Sequence, residues 1–433
     1  MNDPVSGKRS ILEAPFDEIA SPYGWHSYPG SGEPFTSATP GVTAKDGWVN
    51  TTTTIGNNVF AQENWEGQSN YIRNGRPLAN SSLVFDFEYG AEEGLRPKEY
   101  VDLAVTELFY TCNMFHDLTY RLGFDELAGN FQQSNYGKGG KGDDAVIANA
   151  QDGSGTNNAN FATPPDGQHG KMRMYVWDTA TPYRDGDLEA GIVVHEYAHG
   201  LSTRLTGGPA NSGCLGWGEA GGMGEGWGDF LATQIRKPSS KYSDYPMGSW
   251  AANREGGIRN YPYSTNETVN PSTYKTLDKS GYFGVHAIGE VWAEFLFVMT
   301  ESLIAKHGFS KTLFPPTNTT VANDYYTTVA EFDAQGELAK PLIPKHGNTL
   351  AVQLVINGMK LQPCRPSFFD ARDAIVQADK ILTGGENACE IWTAFTERGL
   401  GPNAALRGAT PWGGGIRVED YSLPKGVCKK TKA

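Results

Sequence analysis

The 433-residue sequence predicts an α+β fold, β-rich over residues 1–206 and mainly α-helical over residues 207–433. Three observations predict it. The first ninety or so residues carry short apolar runs broken by Gly, Pro, Ser, Thr and Asn, whereas apolar residues at helical spacing dominate after about residue 205. Glycine, at 53 of 433, is well above its usual share of about 7% and reads as loop-rich architecture. Hydrophobic residues at 39%, aromatic residues at 12% and charged residues at 20% describe a globular chain and exclude a disordered, collagen-like or coiled-coil one.

The elements follow in order. SLVFDFEYG (82–90) reads as a strand among loops. Pro97 opens a long helix over KEYVDLAVTELFYTCNMFHDLTYRLGF, which Gly123 stops. After a polar, Gly/Asn-rich stretch, KMRMYVW alternates Met172, Met174 and Val176 with Lys171, Arg173 and Tyr175, as a strand with one wet face does. Asp187 is the expected N-cap, and Gly207-Gly208 the expected stop, of a helix over DLEAGIVVHEYAHGLSTRL. Four further helices are predicted over VHAIGEVWAEFLFVMTESLIAKHG, NTLAVQLVINGMKLQ, SFFDARDAIVQADKIL and NACEIWTAFTERGLG; in the third, Phe368, Ala371, Ile375 and Ala378 share a face.

With 36 basic against 49 acidic residues the formal charge is −13, and no Lys/Arg block offers a footprint for nucleic acid. No apolar run approaches the roughly 20 residues that span a bilayer, and the opening MNDPVSGKRSILEAP lacks the apolar core of a signal peptide. Sequons begin at Asn50, Asn80, Asn266 and Asn318, each in a polar stretch that reads as surface loop. Five cysteines are too few and too scattered for a disulfide scaffold or a Cys-type zinc site, and an odd count leaves one unpaired in a monomer. Cys364 and Cys389 flank one predicted helix and are the expected bridge.

The chemistry concentrates in H-E-x-x-H, here His195, Glu196, Tyr197, Ala198 and His199. Histidines at i and i+4 stand one turn apart, with Cβ atoms about 5 to 6 Å from each other, so both rings can meet one Zn²⁺ at roughly 2.0 to 2.1 Å. Glu196 can then reach a water at the metal without ligating it. A third ligand is expected at Glu225 in EAGGMGEGWGDF, after a Gly-rich loop that returns the chain, with Glu219 as its competitor. Asp229, four residues on, shares a helical face with Glu225 and is the candidate carboxylate that accepts a ligand histidine's other N–H. His26, His116, His169, His307 and His346 have no ligand-like spacing and read as structural. Glu92–Glu93 and Asp143–Asp144 are candidate Ca²⁺ ligands against the ordinary reading of solvated charge.

H-E-x-x-H followed by G-x-x-x-E-x-x-x-D resembles the thermolysin-type gluzincin arrangement. HEYAHGLSTRLTGGPANS, EAGGMGEGWGDF and YFGVHAIGEVW closely resemble the fungalysins, secreted zinc endopeptidases of fungi, and the likeness runs from about SPYGWH onward. It implies a thermolysin-like, two-lobed zinc peptidase with its active site in the cleft between a β-rich N-terminal lobe, ending in the H-E-x-x-H helix, and a helical C-terminal lobe. It further implies one zinc held by His195, His199 and Glu225, Glu196 as general base and His286 as the oxyanion's hydrogen-bond donor. By the same resemblance, Arg259 holds the substrate carbonyl on the leaving side. Asn158 and Ala159 bind peptide backbone beside an edge strand, KMRMYVW, and Ile192 and Ile258 line an apolar pocket for the residue on the leaving-group side. Broad endopeptidase activity on proteins, with large hydrophobic residues preferred there, is expected of such a site. Related enzymes are made with a signal peptide and an inhibitory propeptide, so this sequence is expected to be the mature, secreted, monomeric form.

Two departures from the thermolysin-like pattern stand out. Residues 200–224 contain no tyrosine to serve as a second oxyanion donor, and Gly281 occupies the place of the aspartate expected shortly before the catalytic histidine, with Asp278 as a possible substitute. Two rival functions exist: a catalytically inactive secreted binding protein that keeps zinc for stability, and a zinc hydrolase of non-peptide substrates. An open three-ligand site with Glu196 in place favours the peptidase.

Overall fold

The computed structural model describes residues 10–31, 34–89, 94–336, 338–409 and 414–428. They fall into two compact units, Met1–Ser212 with Met247–Ile258, and Gly213–Pro246 with Arg259–Ala433.

The described residues of the first unit form three small sheets and two α-helices. β1 (Ser27–Pro29), β2 (Val42–Lys45) and β3 (Trp48–Thr51) pair antiparallel in the order β1-β3-β2. β4 (Val59–Glu63) belongs to a second sheet and precedes α1 (Val101–Arg121), the long helix expected after Pro97. Its partners are β5 (Val146–Ala150), β6 (Ala159–Ala162) and β7 (Lys171–Met174), in the order β4-β5-β7-β6, with only β6 antiparallel to its neighbour. Met172 and Met174 face the core as the alternation predicts. The alternation stops at Tyr175, itself buried, and β8 (Val176–Trp177) pairs instead with β9 (Arg184–Asp185).

Three expectations need correction here. β7 is an interior strand, so the edge of the sheet belongs to β6, which begins at Ala159. SLVFDFEYG forms no strand over its described residues; Leu83 and Val84 are exposed, and Leu83 sits at φ +56°, where no ladder continues. The helix α2 (Ala190–Leu205) is preceded by Glu189 rather than Asp187, because Gly186–Leu188 makes its own 3-10 turn, capped by the Asp185 carboxylate accepting from Asp187 N at 3.0 Å. Its far end is as expected, with Gly207 and Gly208 at positive φ. There Arg204, fully buried, donates to Asp144 at 3.0 Å and to the Gly129 carbonyl at 2.8 Å, pinning α2 to the loops around it.

The second unit holds α3 (Gly218–Ile235), α4 (Val285–His307), α5 (Gly347–Leu361), α6 (Phe368–Thr383), α7 (Ala388–Glu397) and the pair β10 (Ala405–Arg407) and β11 (Ile416–Val418). The four helices predicted from periodicity are all present, and Phe368, Ala371, Ile375 and Ala378 are buried together on α6. The Gly-rich stretch before Glu225, expected as a loop, is helical instead. A Cβ on Gly222 would stand 2.2 Å from the Ile288 side chain, and one on Gly289 would stand 2.7 Å from the Gly222 carbonyl, so glycine is what lets α3 and α4 touch backbone to backbone. The expected Cys364–Cys389 bridge is also overturned: the disulfides are Cys214–Cys364 and Cys389–Cys428, each with Cα atoms 4.8 Å apart, and Cys112 is free and buried. The 16 residues of α6 rise about 24 Å between the first pair, far beyond the roughly 7 Å a disulfide spans. Among the described residues no helix is long and apolar enough to cross a membrane.

His26 carries a pH dependence of this fold. Its ring lies 5.4 Å from that of Phe85 and 5.0 Å from that of Phe109, and its Nδ1–H donates to the Thr53 carbonyl at 3.1 Å. Burial pushes its pKa down to about 4, outweighing that hydrogen bond. The unfolded chain therefore takes up a proton near pH 6.5 that the native chain refuses until about pH 4. Stability from this group is complete above pH 6.5 and falls by about 3 kcal/mol as pH drops through that window. Urea unfolding at stepped pH should show the fall in the parent and its loss in His26→Gln.

Candidate metal centre

His195 and His199 are set by the packing of α2. Val193, Val194, Tyr197, Ala198 and Leu201 are fully buried, and the Tyr197 ring sits 5.1 to 6.0 Å from those of Phe115, Phe131 and Phe161. A Cβ at Gly200 would stand 2.6 Å from Phe131, so the residue after His199 must be glycine for the helix to seat this deeply. The histidine rings face one another at 4.8 Å and 87°, with Glu196 buried beside them.

Glu225 and Asp229 occupy successive turns of α3. Glu225 Oε2 lies 3.3 Å from His286 Nε2; the histidine side chain is 57% exposed and the glutamate 12%. Asp229 accepts from Arg259 Nε at 2.7 Å and Nη2 at 2.9 Å, and from the Tyr263 hydroxyl. Burial alone would lower the Arg259 pKa, but the Asp229 charge and hydrogen bonds outweigh it and hold the guanidinium charged far above its ordinary range.

Among the described residues one group of metal-capable side chains converges: His195, His199 and Glu225, whose ligand atoms all lie within 4.8 Å of one another. Two imidazoles and a carboxylate are the donor set of catalytic zinc sites. Tetrahedral zinc with bonds of about 2.1 Å spaces its ligands about 3.4 Å apart, inside the 4.8 Å that bounds these separations.

The model of the fungalysin metallopeptidase family, M36, matches residues 1–404. The chain belongs to that family. It is 51% identical over 430 residues to the extracellular metalloproteinase MEP of Neosartorya fischeri, covering 99% of this chain and 60% of that protein. The corresponding protein of Pyricularia oryzae is 49% identical over 431 residues, and extracellular metalloproteinase 2 of Trichophyton tonsurans 51% over 428, each again at 60% of its own length. The chain thus spans about three fifths of the curated relatives it matches. Among solved structures, the precursor of protealysin, a metalloproteinase from Serratia proteamaculans, aligns at 14% identity and TM-score 0.43 over 69% of this chain and 79% of that one, a likeness too slight to argue from.

Glu219 is spent elsewhere, accepting from Arg417 at 3.0 Å, Tyr274 and the Phe368 N–H. Asp278 likewise pairs with Arg417 at 3.0 Å. Asp144 accepts from Arg204, Gln132 N and Gly167 N, and Asp143 from Gln133; Glu92 and Glu93 lie outside the described residues. Asn158 is exposed at the start of β6, its side chain accepting from Ala159 N at 2.9 Å. Ile192 and Ile258 converge on Gly248, where a Cβ would stand 3.4 and 3.0 Å from them. Of the tyrosines that could stand in for the absent one, Tyr263 is committed to Asp229. Sequence reasoning missed Tyr263 and the pairing of Asn260 with Glu290. The only signal was that Glu290 and Glu294 continue the face of His286 at one and two turns along α4.

Gly289 gives the candidate metal centre a test that leaves every ligand side chain in place. A Cβ there would stand 2.4 Å from Glu225 Cβ, so Gly289→Ala should shift Glu225 and weaken metal binding ~10-fold or more in chelator competition. Gly256→Ala, into open space, should leave it unchanged.

Proposed function

We propose that this fungalysin is a secreted zinc endopeptidase. The observation that carries the reading is the convergence of His195, His199 and Glu225 within 4.8 Å, with Glu196 next in sequence to the first of them. Among the described residues the cluster has three members, the number that leaves a coordination position open for chemistry, whereas a structural zinc closes with four. That count speaks against the inactive binding protein.

Bound zinc supplies Lewis acidity that brings the pKa of water from about 15.7 toward 7 and polarises a carbonyl. Glu196 takes the proton of the attacking water and returns it to the leaving amine, and its burial keeps competing solvent away from that transfer. His286, on the exposed side of Glu225, donates a hydrogen bond to the oxyanion that forms on the scissile carbonyl. With Nε and Nη2 on Asp229, Arg259 keeps Nη1 for the carbonyl on the leaving side. An extended peptide adds to the edge of the sheet along β6, where Asn158 and Ala159 meet it. Ile192 and Ile258 give the leaving-group side an apolar wall, which favours large aliphatic or aromatic residues there.

The extracellular names of the relatives, two disulfides and four sequons with exposed asparagines all support secretion. An inhibitory propeptide is the expected partner of the precursor. Zinc is the ion this donor set selects; the Asp143–Asp144 pair, with Asp144 committed to Arg204, adds no calcium site to the reading.

Casein hydrolysis should disappear with a chelator and return with Zn²⁺. Glu196→Gln should lose at least ~10²-fold in kcat while keeping about one zinc per chain. Retained activity, or lost metal, would overturn the role of Glu196. Mass spectrometry of a protein digest should place cleavage before Leu, Ile, Phe and similar residues; cleavage chiefly before Lys, Asp or Gly would refute the apolar pocket.

A further inference from the structure

The sheet that ends in β6 has two unlike faces. On one, Phe161 of β6 stands opposite Met172 of β7, and the Phe161 ring lies 6.0 Å from that of Tyr197, so this face packs on α2. On the other, Arg173 stands opposite Asn160, and Lys171 opposite Ala162. Over β4 and β5 that second face is apolar and covered, with Phe60 and Ile147 in one buried cluster with Phe35, Val42 and Val49. Over β7 and β6 it opens. Lys171, Arg173 and Asn160 are half-buried there and Ala162 is exposed.

In a chain of formal charge −13 this strip is cationic, with two cations against one acid, Asp152. The Asp152 carboxylate accepts from Asn64 Nδ2 at 2.6 Å and Ser154 N at 2.9 Å, and lies 3.8 Å from Arg173 Nε. His169, two residues before Lys171, adds no charge, since its Nδ1–H donates to the Ala145 carbonyl at 2.6 Å and burial lowers its pKa. Arg173 leans along β6, with Nη1 3.4 Å from Asn160 Oδ1. Among the described residues the Lys171 ammonium has no hydrogen bond or ion pair, and the β6 residue between it and the sheet edge, Ala162, contributes only a methyl group.

We propose that Lys171 and Arg173 are specificity determinants of the peptidase, selecting acidic side chains at the first and third residues before the scissile bond. The selection rests on the endopeptidase reading, in which a peptide adds to β6 with its leaving-side residue against Ile192. Ile192 belongs to α2, so that residue points to the α2 face of the sheet. In an extended chain the first and third residues before the bond then point to the opposite face. Antiparallel pairing, the more stable kind, runs them along Asn160 and Ala162 when the leaving-side residue meets Ala159. Two strand spacings, about 10 Å, separate such a peptide from β7, a gap that a lysine and a glutamate extended toward each other close. A glutamate at the third residue meets Lys171, and one at the first meets Arg173.

The test uses the zinc-loaded chain and pairs of internally quenched peptides, with Phe on the leaving side, that differ only in Glu or Gln at the third or the first residue before the scissile bond. At low salt the parent should favour each Glu peptide by about two- to fivefold in kcat/KM, the range for one exposed ion pair, and the advantage should shrink in ~0.5 M NaCl. Lys171→Gln should erase the preference at the third residue and keep that at the first, and Arg173→Gln should do the reverse. Lys171→Glu should turn the third-residue preference toward Gln. Equal rates in the parent, a preference indifferent to salt, or one that survives both substitutions would each overturn the strip. Lys171 has no partner to lose, so its two variants carry the test if Arg173→Gln, which leaves Asp152 without its cation, does not fold. Hydrolysis of the Gln peptides that does not depend on Glu196 would bring down the peptidase reading and the strip together, whereas Glu196-dependent hydrolysis at equal rates for Glu and Gln brings down the strip alone.

Discussion

The approach of α3 to α4 at backbone distance is the constraint on which the second unit's share of the chemistry depends. Six of the 18 residues of α3 are glycine, a composition that costs roughly 1 kcal/mol per interior position in helix propensity. The helix forms regardless, because Gly222, Gly226 and Gly289 remove the side chains that would otherwise hold the two axes apart. Closing that distance brings Glu225 Oε2 to 3.3 Å from His286 Nε2, two residues more than sixty positions apart in sequence. Larger side chains at those glycines would pack well in an ordinary helix pair and would lose this contact.

A second layer of order comes from three buried carboxylates that grip one stretch of chain. Asp229 holds Arg259 and Tyr263, Glu290 holds Asn260, and Glu294 accepts from Ser264 N at 3.2 Å. Burial raises the Glu294 pKa to about 8 even though Arg398, 2.7 Å away, opposes the rise. Arg398 also donates to the carbonyls of Ser264 and Asn270, so the stretch is held from its backbone as well as from its side chains. Buried charge of this kind is favourable only when each acceptor is matched, and here the partners come from segments that would otherwise be loops.

The parts legible in the sequence are those whose signal is local. H-E-x-x-H, the i and i+4 spacing of Glu225 and Asp229, and the apolar faces of the helices ending at Arg121, His307, Leu361, Thr383 and Glu397 each lie within one element. What could not be read depends on which distant segments meet. KMRM carries the alternation of a half-wet strand, yet β7 becomes interior only through its pairing with β5, 24 residues away in sequence. Cys364 is close in sequence to Cys389, but α6 carries them apart and Cys214, 150 residues away, arrives instead. The glycines of α3 read as a loop because propensity counts only the helix itself and not the neighbour that makes a missing Cβ useful. Asp187 failed as an N-cap for the same kind of reason, since its carboxylate accepts from the backbone N–H of Gln151, 36 residues away, at 3.0 Å.

Gly281 stands where the thermolysin-like resemblance expects an aspartate before His286. An aspartate before the helix would orient the ring from the N-terminal side, where this chain has Gly281 at φ +97° and open space around it. Asp278 offers no replacement, because Arg417 holds it through two hydrogen bonds at 3.0 Å. His286 instead meets Glu225 Oε2 at 3.3 Å, so a contact that an aspartate before the helix would make within one segment is made here between two helices, α3 and α4.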